Sequence, residues 1–477
     1  MEPTAPTPGM DVDTTDERLA RDWPDDRPDP TVPVLTRVRD VLPWGAWLGC
    51  VAFAGWLVAS FARRLPYVDD YPFLPWVNGR EPVSLSWLWR QSSEHRLIVT
   101  KLMEVGVGRL AGGDYAVLVW VNLAILAVLS AGALVAVRRI RGRSAWGDAF
   151  FPLLILAPQL PSLQWGFHVH FVMNSVAAVT LVLLAARFGL DVPVRWCWVA
   201  VVALVLLWGG GAPGMAMLPG FVAWMVWVVV RRRRADRRQG TALWVAVGLI
   251  GVAFVGYFVG WHGAPASTPS PVKILITALH AGTAPGGNDM NDWWPLSGLA
   301  VAGALGLTAG LLGLRLADRT ARRRNHSVVV ALTLAGAAVL SLLLAIGYGR
   351  SGRPFTIGLE QHYSDAVLPV AVWVYVVWDR ASAGVVRTLA GVAMALAALA
   401  SIFMNTGDVV SRYRVIHREQ TAFVRELCAG APARRLMRDH YTPLLFMNDW
   451  DTTRYGAEPV TEGIRTLRPT WERTYCP

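Results

Sequence analysis

Long apolar stretches separated by short arginine clusters are the feature that most constrains the fold of this chain. The sequence has 477 residues, of which 54% are hydrophobic and only 17% are charged. A soluble protein of this length carries more charge, and apolar runs near 20 residues are long enough to cross a bilayer as helices. The pattern therefore predicts an all-α, polytopic integral membrane protein.

The basic charge of the chain follows the same pattern. The formal net charge is +11, and arginines concentrate in runs such as Arg231 to Arg234 between apolar segments. Because the cytoplasmic loops of membrane proteins accumulate lysine and arginine, we attribute this charge to membrane orientation. We expect no nucleic-acid partner.

Taking the arginine clusters as cytoplasmic markers gives about eleven transmembrane helices, a cytoplasmic N-terminus and an external C-terminus. The predicted spans are about 41–62, 114–137, 148–160, 171–186, 196–208, 215–230, 241–261, 294–314, 327–347, 365–378 and 388–404. Several are shorter than the roughly 20 residues that a helix needs to cross a bilayer.

The predicted spans divide the chain into three parts. Residues 1–36 form a disordered cytoplasmic tail because most of this stretch is rich in Pro, Asp and Thr, and no cleavable signal peptide is expected there. Residues 37–404 form the membrane domain, which includes an external loop at 63–112. Residues 405–477 form a small extracytoplasmic domain.

Two adjacent carboxylates, Asp69 and Asp70, follow the first predicted span. In an extended segment their side chains point in opposite directions, so they are unsuited to one shared task. We interpret Asp69 as a catalytic base, with Asp70 binding an acceptor or capping the loop. An ordinary solvated acidic loop is the alternative.

The same loop contains Glu94, His95 and Arg96. Ser92 and Ser93 are suited to cap a surface helix from Glu94 to about Leu110. In its first turn, free N–H groups and basic side chains would form an anion site. Capping combined with contact at the membrane interface is the alternative.

Two further groups of polar residues are predicted at the external ends of spans. His168 and His170 alternate with aromatic residues, and we consider substrate contact or simple interfacial placement for them. Arginine is disfavoured on the external side, so Arg350 and Arg353 require a reason, either phosphate binding or an ion pair with Glu360. The phosphate-binding group would also include His362 and Tyr363.

The four cysteines divide into two pairs. Cys50 and Cys197 lie inside predicted spans, where cysteine is a small buried apolar residue. Cys428 and Cys476 lie in the predicted external domain. Because an oxidising compartment favours disulfides, we predict a Cys428–Cys476 bridge, with two free thiols as the alternative.

The topology, with Asp69-Asp70 in a long first external loop, resembles the GT-C superfamily of membrane glycosyltransferases. The resemblance covers the whole topology, although the motif itself is two residues long and Asp70 stands where members often have Glu. It implies a plasma-membrane enzyme whose active site lies on the extracytoplasmic face. The implied partners are a polyprenyl-phosphate-sugar donor, a glycan or lipid acceptor, and membrane lipid.

The implied reaction is a direct displacement in which Asp69 deprotonates an acceptor hydroxyl. Fixed cations, principally Arg350 and Arg353, would stabilise the departing phosphate, so no metal or other cofactor is expected. The alternatives are a transporter or flippase for a lipid-linked sugar and a non-catalytic envelope assembly protein. A transporter predicts ionisable residues buried at mid-membrane.

Overall fold

The computed structural model describes residues 33–62, 64–92, 94–263, 270–287, 289–352, 363–445 and 457–476. Its α-helices are α1 Pro33–Phe61, α2 Leu74–Val77, α3 Leu85–Trp89, α4 Ile98–Leu110, α5 Ala116–Arg141, α6 Phe150–Ile155, α7 Val169–Phe188, α8 Val194–Gly209, α9 Ala212–Ala235, α10 Arg237–Tyr257, α11 Pro271–Thr283, α12 Asp289–Asp292, α13 Leu296–Ala317, α14 Arg319–Arg350, α15 Tyr363–Ala381, α16 Gly384–Cys428, α17 Ala433–Leu445 and α18 Ala457–Tyr475. Short 3₁₀ helices occur at Val68–Phe73, Trp146–Ala149, Pro161–Leu163, Gly166–His168 and Ala284–Gly286.

Eight helices of the described chain are long and apolar enough to cross a membrane, namely α1, α5, α7, α9, α10, α13, α14 and α16. The other three predicted spans coincide with the shorter apolar helices Trp146–Ile155 and Val194–Gly209 and with α15, which carries three charged residues. The prediction of an all-α polytopic membrane protein is confirmed. The number of crossings and their orientation remain predictions.

Helices α7 and α15 occupy the centre of the membrane domain. Nearly all of their side chains are buried, and α7 packs against α5, α8, α14 and α15. The charges on α15 are paired near its two ends. Asp365 binds His168 at one end, and Asp379 binds Arg141 at 2.7 Å at the other. These contacts compensate the cost of placing charge in an apolar interior.

Helix α4 is the surface helix predicted from the sequence, but it begins at Ile98 instead of Glu94. Its polar residues Lys101 and Glu104 are buried against the protein, whereas Leu102 and Leu110 are 51% and 91% exposed. An amphipathic helix at a membrane surface places its apolar face in lipid. The exposed leucines of α4 give it that character.

Another short helix lies between two of the predicted spans, namely α11, Pro271–Thr283.

The predicted external loop and the C-terminal region share a second apolar core outside the membrane domain. Its members include Leu74 from α2, Leu118 from α5, Phe423 from α16, Leu436 from α17 and Trp471 from α18. The boundary predicted at 404/405 falls inside α16, a continuous helix of 45 residues.

The predicted bridge between the last two cysteines is confirmed, with Cα atoms 5.4 Å apart.

Candidate functional site

The Asp69-Asp70 pair lies in the 3₁₀ helix Val68–Phe73, so the predicted extended conformation is wrong. The turn is closed by Asp70, whose Oδ2 accepts a 2.9 Å hydrogen bond from the backbone N–H of Tyr67. Asp70 is buried, while Asp69 is partly exposed and faces a cavity. The helical turn therefore separates the two carboxylates, with Asp69 at the cavity and Asp70 holding the backbone.

The residue before this pair has an unusual backbone conformation. Val68 has a φ of +47°, a region that β-branched residues rarely enter because of steric crowding. Such strain persists only where surrounding contacts fix the backbone. Here the next turn is fixed by Asp70, so Asp69 sits on a constrained segment.

Asp70 also connects its turn to the aromatic and histidine segment at 165–170. Its Oδ1 accepts a 2.9 Å hydrogen bond from the backbone N–H of Phe167. Close packing holds that segment from the other side, since a Cβ on Gly166 would lie 2.8 Å from Cβ of Leu118. Asp69 and the two histidines are thus brought to the same place by Asp70.

His168 has a buried acidic partner. Its Nδ1 lies 2.9 Å from Oδ2 of Asp365, and the same carboxylate accepts hydrogen bonds from the backbone N–H and the hydroxyl of Ser162 at 3.0 and 2.8 Å. A carboxylate in this position fixes the tautomer and orientation of an imidazole. Asp365 was not predicted as a site residue, although a carboxylate in an apolar helix is a signal of function.

His170 is oriented by the backbone of its own turn. Its Nδ1 lies 2.9 Å from the carbonyl oxygen of Phe167. Because a carbonyl oxygen only accepts hydrogen bonds, Nδ1 donates in this contact. Both histidines are buried, and both rings line the same cavity as Asp69.

The surface helix predicted from Glu94 to about Leu110 does not start at Glu94, so Glu94, His95 and Arg96 do not form its first turn. Ser92 and His95 instead pair their backbones in a tight turn, with hydrogen bonds of 2.7 and 3.0 Å, and the helix starts afterwards at Ile98. His95 still lines the cavity. The backbone N–H of His95 is thus used within the loop, and that of Arg96 donates to the hydroxyl of Tyr257 at 3.1 Å.

Arg96 is buried and holds the loop in place. Its guanidinium donates to the carbonyl oxygens of Tyr257, Trp89 and Val259 at 2.9, 2.6 and 2.7 Å. Tyr257 is the last residue of α10, where helix carbonyls lack partners in the helix, and Val259 lies in the turn that follows. The structure therefore gives Arg96 a structural role and no place among the cavity residues.

Arg350 reaches the cavity from the end of α14. It donates to both carboxylate oxygens of Glu94, at 3.0 and 2.8 Å, and to the hydroxyl of Tyr363 at 2.7 Å. Among the described residues, Arg350 thus forms its ion pair with Glu94. Arg353 and His362 lie outside the described residues, as does Glu360.

These side chains converge on one cavity of about 400 Å³ at the junction of the membrane domain and the outer region. Five predicted site residues line it, namely Asp69, His95, His168, His170 and Arg350. A further cation at the wall is Arg90, whose guanidinium lies 5.4 Å from the ring centre of Trp76. Ligand sites combine an apolar wall with a few convergent polar groups, and this cavity has that composition.

The wall of the cavity is largely aromatic. Trp76 stacks on Trp87 with ring centres 4.8 Å apart, and Trp165 stacks on Phe167 at 5.6 Å. The sequence contains 23 tryptophans, and the positions of these residues in apolar spans and loops do not reveal which of them share a pocket. Stacked rings give the cavity rigid apolar faces.

Two buried charged residues of α4 support the cavity from behind. Lys101 donates to the carbonyl oxygens of Trp87 and Leu88 at 2.8 and 3.3 Å, and burial followed by repulsion from Arg90 and Arg96 lowers its pKa to about 8. Lys101 thereby fixes the end of α3, which carries the stacked Trp87.

Glu104 is fully buried, and neither carboxyl oxygen has a hydrogen-bond partner among the described residues. Burial, followed by the negative charges of Asp70 and Asp69, raises the pKa of Glu104 well above its usual value. Burial therefore favours the protonated form of this side chain.

The described residues contain no group of three or more His, Cys, Asp or Glu side chains placed to hold a metal ion. Comparisons with protein-family models, curated proteins and solved structures found no match to this chain.

Proposed function

We propose that this protein is a membrane glycosyltransferase that moves a sugar from a polyprenyl-phosphate carrier to a cell-envelope acceptor. The observation that carries the proposal is the convergence of one carboxylate, Asp69, with His95, His168, His170 and Arg350 around a single cavity. These residues come from four distant parts of the sequence. A proton acceptor facing a set of basic groups is the arrangement that transfer from a phosphorylated donor requires.

In the proposed reaction, the Asp69 carboxylate removes the proton of an acceptor hydroxyl. The acceptor oxygen then forms a bond to the anomeric carbon of the donor sugar, and the bond from that carbon to the phosphate oxygen breaks. The phosphate keeps the electron pair and leaves as the polyprenyl phosphate. General-base assistance of this kind contributes about 10²–10⁴-fold to a rate.

The leaving phosphate would be stabilised by Arg350 and the cavity histidines. Part of the charge of Arg350 is already balanced by Glu94, so a second cation at the wall would add to the stabilisation of the phosphate. Arg90 supplies one. Charge-assisted hydrogen bonds to a phosphate are stronger than neutral ones, which favours binding of the donor with its phosphate on the arginine side.

The GT-C superfamily remains the proposed family, because the chain shares a carboxylate pair after the first span and a C-terminal region outside the membrane domain. Asp69 takes the role of the base. The hydrogen bonds of Asp70 to Tyr67 and Phe167 favour a positioning role for the second acid.

A transporter or flippase is supported less well. In the buried helix α15, Asp365 and Asp379 lie near the two helix ends. A pathway through the bilayer calls for ionisable groups at mid-membrane. A non-catalytic assembly role predicts that Asp69 is dispensable.

The test is sugar transfer by Asp69→Asn in the full-length protein, with a polyprenyl-phosphate-sugar series as donors and envelope glycan as acceptor. We expect transfer to fall about 10²–10⁴-fold, with an unchanged elution profile and thermal stability. Glu81→Gln is the matched control, because Glu81 is an exposed carboxylate in the same loop that does not line the cavity. Full activity of Asp69→Asn would overturn the proposal.

A further inference from the structure

A second, larger cavity is an open apolar groove between α5 and α7, with a volume of about 690 Å³. Its lining includes Val128 and Gly132 from α5 and Val176 and Leu183 from α7. Val128 is 73% exposed, so the groove opens sideways from the helices. A concave apolar surface on a membrane-spanning pair of helices faces hydrocarbon.

One end of this groove is basic. Arg139 and Arg187 line it together with Trp196. The two helices run in the same direction, because Asn122 near the start of α5 donates to the carbonyl oxygens of Ser162 and Trp165 ahead of α7. Both arginines therefore lie at the helix ends remote from the candidate site, at the level where arginine and tryptophan meet lipid headgroups.

The dimensions suit one lipid chain. The lining of α5 extends from Ala124 to Arg139, which corresponds to about 23 Å along a helix. One leaflet contributes about 15 Å to the hydrocarbon core. A Cβ built on Gly132 would have no atom within 4 Å, so the middle of the groove has space that the protein itself does not fill.

We propose that this groove binds one acidic glycerophospholipid, with an acyl chain along Gly132 and the phosphate held by Arg139 and Arg187. The charge at the mouth and the apolar lining are complementary to the two parts of such a molecule. The donor lipid of the proposed reaction does not fit here. From Ala116, beside the candidate site, to Arg139 is 23 residues of helix, or about 35 Å, which is too far for its phosphate to reach Asp69.

The test measures lipid retained by the purified full-length protein, using native mass spectrometry after exchange into micelles that contain equal amounts of phosphatidylglycerol and phosphatidylcholine. We expect one phosphatidylglycerol to be retained by the unaltered protein. The double variant Arg139→Ala/Arg187→Ala should lower this retention roughly tenfold or more, since each basic residue near a membrane surface contributes to binding of an anionic lipid.

Gly132→Leu provides an independent test, because its Cβ enters the groove at a point with no protein atom within 4 Å. It should also abolish retention. The matched controls are Arg138→Ala, which removes the adjacent exposed arginine that does not line the groove, and Gly251→Leu, which adds the same side chain at an open position of α10.

Both controls should retain the lipid. Equal retention by Gly132→Leu and the unaltered protein would overturn the proposal. Retention of phosphatidylcholine to the same extent, or displacement of the lipid by an added polyprenyl phosphate, would overturn it as well.

Discussion

The carboxylate of Asp70 accepts a 2.9 Å hydrogen bond from the backbone N–H of Phe167, 97 residues further along the chain. This contact joins the turn that carries Asp69 to the segment that carries His168 and His170. The position of the proposed base relative to the histidines therefore depends on its neighbour in sequence, which does not itself reach the cavity wall.

Asp70→Asn should destabilise the protein. The two carboxylate oxygens of Asp70 accept hydrogen bonds from two backbone N–H groups, and asparagine would place an NH₂ donor opposite one of them. Leaving a buried donor without an acceptor costs about 1–3 kcal/mol. We expect a lower thermal midpoint for Asp70→Asn and an unchanged one for Asp69→Asn, measured side by side in the same detergent. Equal midpoints would show that the contact with Phe167 is unimportant for the fold.

Arg350→Ala should weaken the use of the donor more than the use of the acceptor. The loss of a charge-assisted hydrogen bond to phosphate is worth about 1.5–3 kcal/mol, or roughly 10–100-fold in kcat/KM for the donor. Glu94→Gln should have a smaller effect, since it leaves the guanidinium in place and removes only its competing carboxylate. Steady-state kinetics with each substrate varied in turn separate these effects, and unchanged donor kinetics in Arg350→Ala would remove its phosphate role.

Because of Glu104, the free energy of unfolding should decrease as pH rises. The pKa of Glu104 in the folded protein lies well above its ordinary value of 4.5, so the folded chain retains a proton that the unfolded chain loses as pH rises past that value. The free energy of unfolding should then fall with rising pH. Glu104→Gln removes this group and should raise the thermal midpoint at pH 8 by a few degrees, with no change near pH 4.

The control for that experiment is Glu81→Gln, which neutralises an exposed carboxylate and should leave the pH dependence as it is. If the Glu104→Gln and unaltered proteins show parallel midpoint curves from pH 4 to pH 8, Glu104 is ionised in the folded state.

The bridge between Cys428 and Cys476 closes a segment of 48 residues. A loop of this length gives a chain-entropy stabilisation of about 4 kcal/mol as an upper figure. Cys428→Ser/Cys476→Ser should therefore increase proteolysis of the C-terminal region while the membrane domain stays folded. Cys197→Ser, at a buried free thiol, should not change the rate of cleavage in that region, and a reducing agent should affect only the protein that contains the bridge.

The membrane helices could be predicted from the sequence because hydrophobicity and arginine placement are properties of single segments. The residue at which α4 begins could not be predicted in this way. Ser92 and Ser93 favour a cap, but the guanidinium of Arg96 binds carbonyls at the end of α10, and this distant contact holds the chain out of the helix. Local capping rules contain no information about such a partner.

The candidate site could be predicted only in part, because some of its contacts also depend on residues that are distant in the sequence. Residues at the ends of spans were expected to meet, and Asp69 and Arg350 do line one cavity. The partners of His168 and Arg350, which are Asp365 and Glu94, follow from the packing of separate helices. The aromatic wall likewise depends on three-dimensional positions that composition does not contain.

Helix α16 runs without interruption from the arginine-rich end of the membrane domain into the outer core, and Tyr413 within it donates to the carbonyl oxygen of Leu163 at 2.7 Å. At 45 residues the helix is about 68 Å long, more than twice the thickness of a bilayer's hydrocarbon core. Because the helix is continuous, each degree of tilt at its N-terminal end displaces its C-terminal end by about 1 Å. The position of the outer core therefore depends on how the N-terminal part of α16 is tilted in the bilayer.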